Sequence, residues 1–286
     1  MPQVRVNGVE HFYETAGQGP GLALIHGLSL THRMWDAQYR EFASRYQTVR
    51  YDLRGHGQSA APQTGYQTAN LADDLHGLLT HLKITSTYLV GLSLGGQVAL
   101  EYTLRYSDTV KALVLVDTAL EGHRWSEPIA AYFHRVREGA KKLGVERTVK
   151  ELWLNGPLFA VPNRNPTLAK ALAEMILPYS GSYWLDEKLK VPEEPQIQRL
   201  KEVKCPTLVV VGSLDLIDFQ AMADIAGREI PGARKVVLAR SGHLPPLERP
   251  EALNTLVLDF LAAVERGDGR APAPPQPEPA MEDNSK

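Results

Sequence analysis

The 286-residue chain contains a single cysteine, Cys205, so no disulfide can close within it. Cys205 precedes Pro206 and an apolar run, the setting of a packed small residue rather than of a nucleophile. No apolar stretch approaches the ~20 residues that span a bilayer, so no membrane partner is expected. Charge of one sign is scarce too: 31 Lys and Arg stand against 33 Asp and Glu, a net charge of −2. Without a basic run or a basic helix face, nucleic acid is not an expected partner. Metal-ligand spacing is missing as well, and neither a metal nor an organic cofactor is expected. The first residues, Met1-Pro2-Gln3-Val4-Arg5-Val6, lack the basic and apolar regions of a secretory leader. The expectation is a cytoplasmic protein without internal repeats, whose 43% hydrophobic content can build a sizeable core.

What is present alternates. Val4 to Glu14 reads as a hairpin around Asn7-Gly8, a dipeptide that favours positive φ. Gly21–His26 is a continuous apolar strand, as expected for burial on both faces. A helix is expected around Trp35 to Ser44, a strand at Thr48–Asp52, and an amphipathic helix from Gln67 to Leu82. Further apolar strands precede Gly91 and end at Asp117, Gly212 and Leu238, with helices after Ser93, across Phe219–Glu229 and from Pro250. Strand–helix alternation argues for an α/β fold with a parallel sheet covered on both faces. Between about Thr118 and Glu202 the alternation stops. Three of the four Trp fall there among repeated Pro and Gly, which reads as a helical insertion of residues 118–202 into a core of 1–117 and 203–266. From 267 to 286 the composition turns rich in Pro and Glu, as in a disordered tail.

Gly91-Leu92-Ser93-Leu94-Gly95 lies between a strand and a helix, the pattern of a nucleophile elbow. Serine needs a base within hydrogen-bond reach, and the base needs a partner that fixes its tautomer. Asp215 and His243 follow Ser93 in that chain order, each just beyond a strand end, where open α/β sheets hold their ligands. Asp218 and Asp117 compete with Asp215 for the acid role. Asp52 reads as the organiser of the Arg54-Gly55-His56-Gly57 loop, and His26 and His56 as structural. An oxyanion would be received by two backbone N–H groups, from Leu94 after the nucleophile and from Leu28 after the His26-Gly27 strand.

Together, His26-Gly27, Asp52-x-Arg54-Gly55-His56-Gly57-x-Ser59, Gly91-Leu92-Ser93-Leu94-Gly95-Gly96, Gly212-x-x-Asp215 and Ser241-Gly242-His243 resemble the α/β-hydrolase superfamily. The resemblance spans about Val4 to Val264. It is closest to the helically capped ester and lactone hydrolases, including the 3-oxoadipate enol-lactonase group, through the elbow and Asn155-Gly156-Pro157-Leu158-Phe159-Ala160. The segment Thr118–Trp125 departs from the enol-lactonase pattern. The resemblance implies a serine hydrolase that cleaves a small carboxylic ester or lactone through an acyl-enzyme, with Trp125, Trp153, Phe159 and Trp184 as candidate pocket walls. Arg33 and Arg124 are candidates to meet a substrate carboxylate. C–C bond hydrolysis or perhydrolysis on the same three residues, and a slow-turnover ligand receptor that keeps the fold, are the alternatives.

Overall fold

The computed structural model describes residues 2–268; of the tail expected at 267–286, all but Gly267 and Asp268 lies outside the described residues. Eight strands form one sheet: β1 (Gln3–Val6), β2 (Val9–Ala16), β3 (Gly21–Ile25), β4 (Gln47–Tyr51), β5 (Thr87–Leu92), β6 (Val110–Val116), β7 (Thr207–Gly212) and β8 (Arg234–Leu238). Their spatial order is β1-β2-β4-β3-β5-β6-β7-β8. The first two pairings, β1 with β2 and β2 with β4, are antiparallel, and every pairing from β4 to β8 is parallel. The hairpin turn places Asn7 and Gly8 at φ 50° and 79°. Both residues occupy the positive-φ region that tight two-residue turns require.

The central strands follow from their composition. All residues of β3, β5 and β7 are buried. A strand covered on both faces has no polar side to show, so its apolar residues run without alternation. Each fully buried Leu, Ile or Val stabilises the fold by about 1.5–3 kcal/mol relative to exposure.

Helices cover the sheet: α1 (Asp36–Phe42), preceded by a 3₁₀ turn (His32–Trp35), then α2 (Thr68–His81) and α3 (Leu94–Arg105). The helix expected around Trp35 to Ser44 is preceded by this 3₁₀ turn, which Thr31 caps by accepting the Arg33 N–H. In α2, Leu71, Leu75, Leu78 and Leu79 form the buried stripe.

Between β6 and β7 the described chain is helical only: α4 (Glu127–Leu143), α5 (Val145–Thr148) running into a π-helical turn (Val149–Trp153), α6 (Pro166–Ile176), α7 (Ser182–Leu185) and α8 (Gln196–Arg199), with short 3₁₀ turns between them. α6 shows why these pieces start where they do. Asn165 accepts the Thr167 and Leu168 N–H groups, and Pro166 needs no acceptor at the first helical position. The chain ends with α9 (Ile217–Glu229), α10 (Pro245–Glu248) and α11 (Pro250–Glu265). The one-turn helix α10, which begins two residues after His243, has no counterpart in the sequence expectations.

The strand order brings the functional loops together. Strand β3 lies between β4 and β5, so the chain reverses its winding there. Ligand sites of open α/β sheets lie at such reversals, beyond the carboxyl ends of the strands. Leu28, Ser93, Asp117, Asp215 and His243 follow the ends of the neighbouring strands β3, β5, β6, β7 and β8 in that spatial order.

Candidate active site

Ser93 is the one residue between β5 and α3. It sits at φ 54°, ψ −115°, a conformation that costs of order 1–3 kcal/mol and persists only where the surroundings enforce it. Here its N–H donates to the Val116 carbonyl at 3.0 Å and its carbonyl accepts the Gln97 N–H at 3.1 Å. The flanking glycines are steric necessities. A Cβ on Gly91 would collide with the Gly95 backbone, and one on Gly95 with the Ile25 and His26 carbonyls. Leu94 opens α3, so its N–H has no intrahelical acceptor and points with the positive end of the helix dipole. Neither the Leu94 nor the Leu28 N–H meets an acceptor among the described residues, and both residues line the same cavity as Ser93.

Across that cavity, His243 Nδ1 lies 2.8 Å from Asp215 Oδ2, and the two side chains are 4% and 1% exposed. The Asp215 loop is fixed by its own backbone: Leu216 N–H donates to Asp215 Oδ1 at 2.7 Å, and Leu214 N–H to the Ser241 carbonyl at 2.8 Å. Phe219 packs on the imidazole with ring centres 4.3 Å apart. Glu248, on α10, braces the other side. Its carboxylate accepts the Gly242 N–H at 2.5 Å and the Leu244 N–H at 2.9 Å, one residue before and one after His243. The sequence reading missed Glu248; its spacing from His243 by five residues carries no signal without the turn that folds α10 back.

The competing acids are held elsewhere. Asp218 accepts the Ser126 N–H at 2.6 Å and its hydroxyl at 2.7 Å, with His123 Nε2 at 3.4 Å. Burial opposes its ionisation, but those bonds prevail and hold the carboxyl below the usual range. It ties the start of the helical segment to α9. Asp117, at φ 41°, accepts the Gly212 N–H at 2.8 Å and is fully buried. Burial, first, and the neighbouring Asp215 push its carboxyl well above the usual range.

Asp117, Asp215 and His243 form the one cluster of metal-ligand spacing among the described residues, with ligand atoms within 4.8 Å of one another. The 2.8 Å approach of His243 to Asp215 is hydrogen-bond length, and roughly 3.3 Å would separate two ligands of a tetrahedral zinc with bonds of about 2 Å. The geometry fits a shared proton better than a shared cation.

Asp52 organises the loop after β4. Its Oδ1 accepts the His32 N–H at 2.7 Å and its Oδ2 the Gln58 N–H at 2.9 Å, while its carbonyl accepts the Ser59 hydroxyl at 2.6 Å. His26 and His56 are buried beside it. Burial lowers His26 to about 4 and His56 to about 3, so both are neutral rings. His26 Nε2 accepts the Leu53 N–H at 3.0 Å, which leaves Nδ1–H to donate to the Gly27 carbonyl at 2.8 Å.

The cavity measures about 630 Å³, the size of a pocket for a small organic ligand. Trp125, Trp153, Phe159 and Trp184 all line it, with Phe133 and Phe219. Glu121, Arg137 and Lys190 supply charged groups to its lining; Arg33 and Arg124 do not reach it and are exposed. Trp153 does more than form a wall: its Nε1–H donates to the Ser29 hydroxyl at 2.6 Å. A serine hydroxyl, a neutral or charged imidazole, a buried carboxylate and two free N–H groups around one apolar cavity can carry out acyl transfer.

Comparison with known proteins agrees with this architecture. The family model described as alpha/beta hydrolase fold matches residues 20–250. The carboxylesterase YbfK of Bacillus subtilis is 28% identical over 251 residues, covering 85% of this chain and 80% of that protein. Among solved structures, a thermophilic esterase from Thermogutta terrifontis, in a malate-bound form, superposes with a TM-score of 0.81 at 30% identity over 92% of this chain and 99% of that one. An enol-lactonase from Burkholderia xenovorans LB400 gives a TM-score of 0.81 at 26% identity over 91% and 100%. With a family match across most of its length and the strand order that the fold requires, the chain belongs to the alpha/beta hydrolase fold family.

Proposed function

We propose that the protein is a serine hydrolase that cleaves a small carboxylic ester or lactone through an acyl-enzyme on Ser93. The observation that carries this reading is the 2.8 Å bond between His243 Nδ1 and Asp215 Oδ2 beside a cavity that Ser93 also lines. With Nδ1 bonded to Asp215, Nε2 is the nitrogen left to take the Ser93 proton. The Ser93 oxygen attacks the carbonyl carbon, and its proton passes to His243. The developing oxyanion is received by the Leu28 and Leu94 N–H groups, and Asp215 stabilises the imidazolium. Collapse breaks the C–O bond to the leaving alcohol, which takes the proton from His243. Water then attacks the acyl group, giving its proton to His243, and Ser93 is restored as the acid departs. For a lactone, alcohol and acid leave as one hydroxy acid.

Residues 118–202 would act as a cap whose aromatic side chains select the substrate. Kinship with proteins named carboxylesterase, esterase and enol-lactonase supports ester or lactone carbonyls as the class. A panel of p-nitrophenyl esters, lactones and enol-lactones, run with the wild type and Ser93→Ala, tests it. Turnover of at least one ester or lactone class, abolished by Ser93→Ala, is expected. Turnover that survives Ser93→Ala contradicts the mechanism. Tight binding without turnover of any substrate would favour the receptor reading instead.

A further inference from the structure

Trp153 belongs to the helical segment and Ser29 to the loop after β3, yet the indole N–H donates to the Ser29 hydroxyl at 2.6 Å across 124 residues of chain. Trp153 is 1% exposed and Ser29 1%. Trp153 is the only hydrogen-bond partner of the Ser29 hydroxyl among the described residues. Ser29 sits at φ 63°, in the left-handed region that a residue other than glycine occupies only when its neighbours hold it there. The Leu30 N–H closes a turn onto the Gly27 carbonyl at 3.2 Å, so Leu28 and Ser29 are the two central residues of that turn. The direction of the Leu28 N–H is therefore set by the turn that Ser29 anchors.

The tryptophan is itself fixed. It ends the π-helical turn, where the Leu154 N–H reaches back five residues to the Val149 carbonyl at 3.0 Å. Such turns shift the face a side chain points to, and they recur at functional sites. Its ring is wedged by Tyr132, Phe159 and Trp184, with centres 5.2–6.0 Å away. The same ring lines the cavity. We propose that Trp153 is a positioning residue for the oxyanion-binding loop: its N–H holds Ser29, and through the turn aims the Leu28 N–H at the oxyanion. This rests on the serine-hydrolase reading above. It adds that the helical segment contributes to the chemical step and not only to substrate choice.

The test compares Trp153→Phe, which keeps a ring but loses the donor, with Ser29→Ala, which loses the acceptor. The readouts are kcat and KM on p-nitrophenyl butyrate and the affinity for phenylboronic acid, a tetrahedral mimic. Losing one oxyanion donor outright costs about 10²–10³ in rate, and mis-aiming one costs less. Each variant should lower kcat about tenfold with KM within about twofold, and weaken the boronic acid by the same factor. The double variant should be no worse than either single one, because both remove one bond. A raised KM with unchanged kcat and boronic acid affinity would make Trp153 a pocket wall alone and overturn the proposal. If Trp153→Phe does not fold, Ser29→Ala decides: wild-type kcat and boronic acid affinity sink it. Wild-type turnover that survives Ser93→Ala would instead defeat the underlying mechanism, a result these two variants cannot produce.

Discussion

Asp117 and Asp215 lie beyond the ends of adjacent parallel strands, but only Asp215 bonds the imidazole of His243; Asp117 turns an oxygen to the Gly212 N–H. The two acids should therefore respond differently to the same change. Asp215→Asn keeps the shape but removes the charge and lets His243 take the wrong tautomer, for which a loss of roughly 10⁴ in kcat is expected. Asp117→Asn leaves the bond between His243 and Asp215 in place, so kcat should fall far less than in Asp215→Asn. Steady-state kinetics of both variants between pH 5 and 9 check this; an Asp117→Asn variant worse than Asp215→Asn would reverse the assignment.

Glu248 holds the backbone on both sides of His243, and Glu248→Ala frees two N–H groups there. Misplacement of a reacting group by about 1 Å can cost roughly 10². Glu248→Ala should lower kcat 10–100-fold, by this reasoning on the order of the misplacement cost, with a smaller loss for Glu248→Gln, which retains an acceptor. Kinetics and a melting curve on the two variants separate loop positioning from global unfolding.

The two buried neutral histidines predict acid lability. In the unfolded chain an imidazole takes up a proton as the pH falls below about 6.5. In the folded protein His26 resists until about 4 and His56 until about 3. The unfolded state thus binds more protons below about pH 6.5, and stability falls with falling pH, by up to about 1.4 kcal/mol per unit for each ring. The stabilisation is fully present above about pH 6.5 and is lost through the window down to the folded values. Urea denaturation from pH 7.5 to 4.5 measures the slope, which should flatten in His56→Gln; an equal slope in that variant argues against a buried neutral ring.

Cys205 is buried, and burial raises its thiol to about 11. The thiolate is the reactive form, so the native protein should show almost no thiol to Ellman's reagent at pH 8 and one after denaturation.

Much of this architecture is legible in the chain because the forces that set it are local or repetitive. Strands buried on both faces announce themselves as apolar runs, so β3, β5 and β7 need no tertiary knowledge. The elbow at Ser93 is legible because its Gly-x-Ser-x-Gly pattern is contiguous in the chain, although the contact that requires Gly95, with the Ile25 and His26 carbonyls, comes from β3 and the residue after it. Bonds between distant segments are not. The Trp153–Ser29 bond spans 124 residues, and Trp153 looks like any other aromatic of the helical segment. Arg137 reaches the cavity and Arg124 does not, because the facing of a helical segment broken by Pro and Gly depends on packing. Asp117 reads in sequence as a rival acid; only its depth between β5 and β7 and its bond to the Gly212 N–H show that it is not the partner of His243.

Everything in the proposed mechanism depends on Ser93 as the nucleophile. Treating the native protein with a fluorophosphonate and measuring its intact mass, followed by peptide mapping, tests this most directly. One adduct per chain is expected, located on Ser93, with ester turnover lost in proportion and no adduct on Ser93→Ala. An adduct on another residue, or turnover that continues without labelling of Ser93, would contradict it.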